Sequence, residues 1–321
     1  MKYIATIGFF DGVHRGHLFL IQQLLQRAEQ EHLSSMLITF DEHPRQVLEG
    51  QSPELLLTRE EREVRLKQSG VRQVLEFTFS VIQNMTAEEF MRILHERCDV
   101  DVLLMGYDHR FGSDHLQDFE AYRQAGIRAG IQVEMALAQT SMATADNKRE
   151  APNNPSTYIS STAIRQALHE GRITDANAML GYPYALTGTV VHGRHIGTEL
   201  GFPTANLAVP ADKLIPRQGV YAATCHLTPD TCNLQPDTCH LTPVPCLVNI
   251  GTNPTVGANL PLSIEVHIVG NHEDLYGQTL TIQLMAFIRN EIVFDNLQQL
   301  QQQIHTDLQH MEQLLSQHPN K

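Results

Sequence analysis

The stretch YIATIGFFDGVHRGHLFLIQQLLQRAEQEHL, residues 3–33, decides how the first half of the chain is read. Tyr3 to Phe10 is a short apolar run suited to a buried strand, whereas Leu18, Ile21, Leu24, Leu25 and Ala28 recur at helical spacing. Between them DGVHRGH supplies glycines and polar residues, so the segment reads as strand, glycine-rich turn and helix, the opening of a βαβ unit. Backbone N–H groups at such a helix start, together with its positive dipole end, can hold phosphates. His14 and His17 would set imidazole donors beside those amides, and Gly16 would let a ligand come close to the backbone. The plainer alternative is a tight turn whose histidines only cap the helix.

Outward from this unit, strand-like runs recur at 34–40 (SSMLITF), 71–77 (VRQVLEF), 100–106 (VDVLLMG) and 131–137 (IQVEMAL). Helical-period stretches flank them, such as 86–98 with Phe90, Ile93 and Leu94 on one side. Alternating strands and helices predict a parallel sheet covered on both faces. Residues 139–157 are polar and rich in Asn, Pro and Thr, which reads as a surface loop. Two short helices follow, one capped by Ser161 or Thr162 and ended at Gly171, the other capped by Thr174 and ended at Gly181. The boundary is placed after them, near Tyr184, giving modules of residues 1–184 and 185–321.

Beyond Tyr184 the pattern changes to short strands separated by turn residues: YALTGTVVHG, GVYAATCHL, CLVNIG, LSIEVHIVG and LTIQLMAFIR. With no helix between them, an antiparallel sheet or barrel is expected. A closing helix at 296–318 carries Leu297, Leu300, Ile304, Leu308, Met311 and Leu315 as one apolar stripe for packing on that barrel.

The chain's 321 residues suit about two domains of roughly 150 residues each. A net charge of −13 opposes a phosphate backbone or an anionic lipid surface, so neither nucleic acid nor membrane is an expected partner. The run Ile4–Phe10, ended by Asp11, is too short for a membrane span or a secretory core, and the cytoplasm is the expected compartment. Five cysteines are too few and odd in number for a disulfide framework. Four of them, Cys225, Cys232, Cys239 and Cys246, recur in tandem heptapeptides. With His226 and His240 they could supply zinc ligands, but their spacing lacks short C-x-x-C hooks. An inert, expanded hairpin loop is the expected reading, with replacement of all four by Ser leaving stability and activity nearly unchanged.

Two more segments could carry chemistry. ISSTAIR, residues 159–165, puts Ser160, Ser161, Thr162 and Arg165 at a helix start, suited to a polyphosphate or simply to capping. MGYDHRFG sets Asp108 after a strand end, the edge where open parallel sheets bind ligands.

In this order GFFDGVHRGH, TFDEHP (39–44), MGYDHRFG and SSTAIR resemble the adenylyltransferase half of prokaryotic bifunctional riboflavin kinase/FAD synthetases. GFPTAN (201–206), GVY (219–221), NIGTNPT (249–255), IEVHI (264–268), LYG (275–277) and IRNEIVF (288–294) resemble the kinase half. The resemblance implies a Rossmann-like nucleotidylyltransferase domain followed by a flavokinase-type β-barrel. It implies two Mg²⁺-dependent reactions: riboflavin plus ATP gives FMN, then FMN plus ATP gives FAD and pyrophosphate.

For the first module the resemblance implies direct attack of the FMN phosphate on the α-phosphate of ATP. His14 and His17 would stabilise the transferring group, while Gly8, Phe9, Asp11, Gly16, Ser161, Thr162 and Arg165 would bind ATP and Asp108 the flavin nucleotide. For the second it implies Thr204 and Asn206 as Mg-ATP ligands and Glu265 as general base. Ile264, Val266 and Ile268 alternate toward the core, which puts Glu265 and His267 on the opposite strand face; alternation alone would leave Glu265 merely solvated. The sequence departs from the family at His109, usually Phe, and at Thr198, commonly Arg. Two competing readings are a nucleotidylyltransferase acting on pantetheine phosphate or nicotinamide mononucleotide, and a flavin-binding regulator. Thr204, Asn206 and Glu265 argue against both.

Overall fold

The computed structural model describes residues 1–50, 53–106, 109–137, 159–193, 201–226, 243–252, 262–270 and 274–317. By contacts the chain divides into two compact units, Met1–Ser161 and Thr162–Lys321. This division groups the two short helices after residue 160 with the barrel, whereas the sequence reading draws its boundary beyond them.

In the first unit, strands β1 (Tyr3–Ile7), β2 (Ser34–Phe40), β3 (Gln73–Phe77), β4 (Val100–Met105) and β5 (Gln132–Met135) form a parallel sheet in the order β3-β2-β1-β4-β5. Helix α1 (Arg15–Gln30) follows β1; α2 (Pro44–Glu49) and α3 (Arg59–Gln68) follow β2. Helices α4 (Phe79–Ile82) and α5 (Ala87–Cys98) precede β4, and α6 (Phe119–Ala129) precedes β5. Successive residues of β1 face opposite layers: Ile4 packs with Ile21, Leu24 and Leu66, and Ala5 and Ile7 with Phe90, Leu94 and Tyr122. Both faces are covered, which is why these strands read as continuous apolar runs. Chain order reverses direction between β1 and β4, so the crevice beyond their carboxyl ends is the switch point where such sheets take ligands.

In the second unit, β6 (Tyr184–Val191), β7 (Ala205–Ala208), β8 (Gly219–His226), β9 (Val244–Gly251), β10 (Ser263–Ile268) and β11 (Thr279–Arg289) close an antiparallel barrel in the order β10-β7-β6-β11-β8-β9. Strand β7 begins at the end of the GFPTAN segment and, at four residues, is too short to show a period. Helices α7 (Ser161–His169) and α8 (Ile173–Leu180) precede the barrel, and α9 (Leu297–Gln317) closes it. Asn177 ties α8 down, donating to Leu284 O at 2.9 Å and accepting from Tyr184 N at 2.7 Å.

Two local expectations are corrected. Thr174 does not cap α8; the helix starts two residues earlier than such a cap implies, at Ile173, with Arg172 at the cap and no side-chain capping bond among the described residues, while Gly181 ends it in the left-handed region at φ 85°. Leu297 does not join the apolar stripe of α9 and is 49% exposed; the packed stripe comprises Ile304, Leu308, Met311, Leu314 and Leu315 against Val220, Ala222, Leu247 and Ala286.

Candidate active sites

The turn after β1 is built on unusual backbone. Phe10, Gly12 and Val13 have φ of 56°, 80° and 33°, and only the glycine takes such values without strain. Asp11 is 4% exposed, and its carboxylate accepts the amides of Leu56 at 3.0 Å and Leu57 at 3.2 Å, just ahead of α3. Phe9 lies under the Arg62 guanidinium at 3.9 Å and edge-on to His43 at 4.5 Å. Arg62 is buried, donates to Phe40 O at 2.6 Å, and is held below its ordinary pKa by that burial. The turn is therefore buttressed from α3, a contribution by Arg62 that no local pattern of the sequence announced.

At the start of α1, His14 is the N-cap, its Nδ1 accepting from His17 N at 3.3 Å. His14 thus caps the helix, whatever further role its ring has. The His17 ring stacks on the His14 ring at 3.6 Å. Burial, reinforced by neighbouring His14, holds His17 well below the ordinary imidazole range, and its buried Nδ1 has no hydrogen-bond partner among the described residues. A Cβ on Gly16 would stand 3.2 Å from the His14 ring and 3.4 Å from Ile159 O, and one on Gly8 would stand 3.0 Å from the Phe10 ring. Ser161 Oγ donates to Asp11 O at 2.9 Å, joining the SSTAIR motif to this turn across 150 residues. Thr162 and Arg165 lie in the opening turns of α7. His109 sets its ring 5.8 Å from Phe111, while Asp108 lies outside the described residues. What this region offers is backbone amides, two stacked imidazoles and a helix start, a set suited to phosphate chemistry.

In the barrel, Glu265 pairs with Asn206 on one side and Asn249 on the other, so three polar side chains stand in a row across β7, β10 and β9. Ile264, Val266 and Ile268 are buried and Glu265 and His267 share the more open face, as alternation predicts. A Cβ on Gly193 would overlap the Asn206 amide, so glycine there leaves room for that side chain. Thr204 immediately precedes β7. His267 Nδ1 lies 2.9 Å from Pro203 O, tying β10 to the same segment. Asn249 lies in NIGTNPT and Glu291 in IRNEIVF, neither of which shows a role for it locally; strand pairing brings Asn249 beside Glu265, and the Glu291 carboxylate accepts Thr252 N at 3.3 Å. Thr198 lies outside the described residues.

The heptad cysteines separate into two kinds. Cys225 and Cys246 lie in β8 and β9, fully buried as free thiols hydrogen-bonded to each other. Cys232, Cys239, His240 and the side chain of His226 lie outside the described residues. The expectation that all four cysteines are inert loop residues is corrected for this pair, whose diagonal position on one face of paired strands makes them core.

A family model described as FAD synthetase matches residues 1–146, and one described as riboflavin kinase matches residues 180–315. The chain is 35% identical over 308 residues to the bifunctional riboflavin kinase/FMN adenylyltransferase of Escherichia coli K12, covering 95% of this chain and 90% of that protein. It is 33% identical to the protein of the same name from Listeria monocytogenes, with the same coverage. A crystal structure described as a macrolide-efflux protein from Streptococcus pneumoniae superposes with a TM-score of 0.78 at 27% identity, covering 97% of this chain and 94% of the other. Among the described residues no helix is long and apolar enough to cross a membrane.

Proposed function

The chain belongs to the family of bifunctional riboflavin kinase/FMN adenylyltransferases, and from that premise we propose how its residues carry two reactions. The enzyme phosphorylates riboflavin to FMN with ATP in its C-terminal part and adenylylates FMN to FAD, releasing pyrophosphate, in its N-terminal part. The activities are assigned to residues 1–184 and 185–321.

In adenylylation, the FMN phosphate oxygen attacks the α-phosphate of ATP and pyrophosphate leaves, so no protein nucleophile is needed. The amides around Gly8, Phe9, Asp11 and Gly16, with Ser161, hold ATP; the motif assigns Thr162 and Arg165 to it as well, and Asp108 to the flavin nucleotide. His14 and His17 stabilise charge on the transferring group. The stacked imidazole pair at the α1 start supports this most directly.

In phosphorylation, Glu265 takes the proton of the riboflavin 5′-hydroxyl as that oxygen attacks the γ-phosphate. The row Asn206, Glu265, Asn249 carries this reading. Thr204 and Asn206 offer hydroxyl and amide oxygens, hard donors that suit Mg²⁺ beside phosphate oxygens. When bound, that ion would neutralise charge on the nucleotide. The partners are small-molecule flavins and ATP, with neither nucleic acid nor membrane. The free thiols Cys98, Cys225 and Cys246 accord with the reducing cytoplasm.

The test is chromatography of flavins after incubation with riboflavin, ATP and Mg²⁺. His17→Ala should abolish most FAD formation from FMN and leave FMN formation near normal, and Glu265→Gln should do the reverse. Loss of both activities in either folded variant would refute the division of roles.

A further inference from the structure

Glu265 depends for its surroundings on where β9 runs, and β9 ends at Gly251, two residues beyond Asn249. The Glu291 carboxylate is pressed against that end: it occupies the space a Gly251 Cβ would need and accepts Thr252 N at 3.3 Å. Ser263 Oγ, opposite on β10, donates to Gly251 O at 3.2 Å. Glu291 in turn stands two residues past Arg289, the last residue of β11. Arg289 grips Asp307 of α9, its Nε donating to both carboxylate oxygens at 3.0 Å and its Nη2 to Oδ2 at 2.7 Å. Arg289 Nη1 also donates to Asn290 O at 3.0 Å, and Gln303 Nε2 donates to Asp307 Oδ1 at 2.9 Å. The Asp307 side chain is 2% exposed. A forked guanidinium held by a buried carboxylate has both its place and its plane fixed, which a point charge could not achieve.

We propose that Asp307 is a positioning residue of the kinase site, fixing the end of β11 through Arg289 and, through Glu291, the exit of β9 beside Asn249 and Glu265. The proposal rests on the reading of Glu265 as the base. It makes the C-terminal helix part of the catalytic framework and leaves adenylylation untouched.

The experiment measures kcat and KM for riboflavin phosphorylation, and FMN adenylylation separately, in full-length Asp307→Asn, Glu291→Gln, the double variant and Glu265→Gln. Asp307→Asn should lower kinase kcat at least tenfold, with both KM values within threefold and adenylylation unchanged. The double variant should be no slower than the slower single one, because the two residues act in one chain of contacts. A kinase kcat within twofold of the unsubstituted enzyme, or single losses that multiply in the double variant, would overturn the proposal. Full kinase activity in Glu265→Gln would overturn the base assignment alone, while the coupling of Asp307 to Glu291 would still be read from kcat. If Asp307→Asn does not fold, Arg289→Lys, which keeps charge but loses the fork, carries the same test with the same deciding outcomes.

Discussion

The imidazole of His14 lies 3.6 Å from that of His17, with the ring planes 14° apart, so these histidines form one unit at the start of α1. Two protonated rings at that distance would repel, which is part of why His17 is held neutral.

This has a consequence for stability against pH. Folding depresses the His17 pKa, so below pH 6.5 the unfolded chain binds a proton that the folded chain refuses. Its penalty is absent above that value and grows as pH falls toward the folded pKa. The melting temperature of the first unit should drop between pH 7 and 5, and His17→Gln should flatten that drop. An unchanged slope in the variant would show the histidine is not its source.

Gly16→Ala should cripple adenylylation and spare the kinase. The added Cβ stands 3.2 Å from the His14 ring and 3.4 Å from Ile159 O, so the ring must shift from the position in which it caps α1. A drop of tenfold or more in FAD formation at unchanged riboflavin phosphorylation is expected. Normal adenylylation would mean the His14 position is not critical.

Asp11→Ala should destabilise the first unit by about 1–3 kcal/mol, because the buried amides of Leu56 and Leu57 lose their acceptor. Chemical denaturation followed by a probe in that unit measures the loss. An effect under half a kcal/mol would imply that water replaces the carboxylate there.

The cysteines should divide by position. Cys225→Ser and Cys246→Ser each bury a hydroxyl in the barrel and should lower its melting temperature by several degrees, at a cost of about 1–3 kcal/mol. The hydrogen bond with Cys225, aided by burial, raises the Cys246 thiol well above its ordinary pKa, so it should react slowly with thiol reagents until the barrel unfolds. Cys232→Ser with Cys239→Ser should leave the melting temperature unchanged. Equal effects from both pairs would contradict this division.

The sequence by itself determined every strand but β7, the helices α1, α5, α7, α8 and α9, and the glycine-rich turn, because side-chain periodicity and turn chemistry are local properties. Ile4, Ala5 and Ile7 read as a buried strand without any knowledge of their partners, and Ile264, Val266 and Ile268 fixed the open face of Glu265. Only the tertiary structure decided which residues meet. Ser161 reaches Asp11 across 150 residues, Glu265 finds Asn206 and Asn249 on strands distant in the chain, and Cys225 and Cys246 become core neighbours instead of loop residues. Likewise Arg62 gave no local sign of supporting Phe9, nor Asp307 of holding Arg289. Strand register and sheet order depend on the burial of whole faces and the closure of a barrel. Those conditions are satisfied by the folded chain as a whole, so no window of sequence contains them.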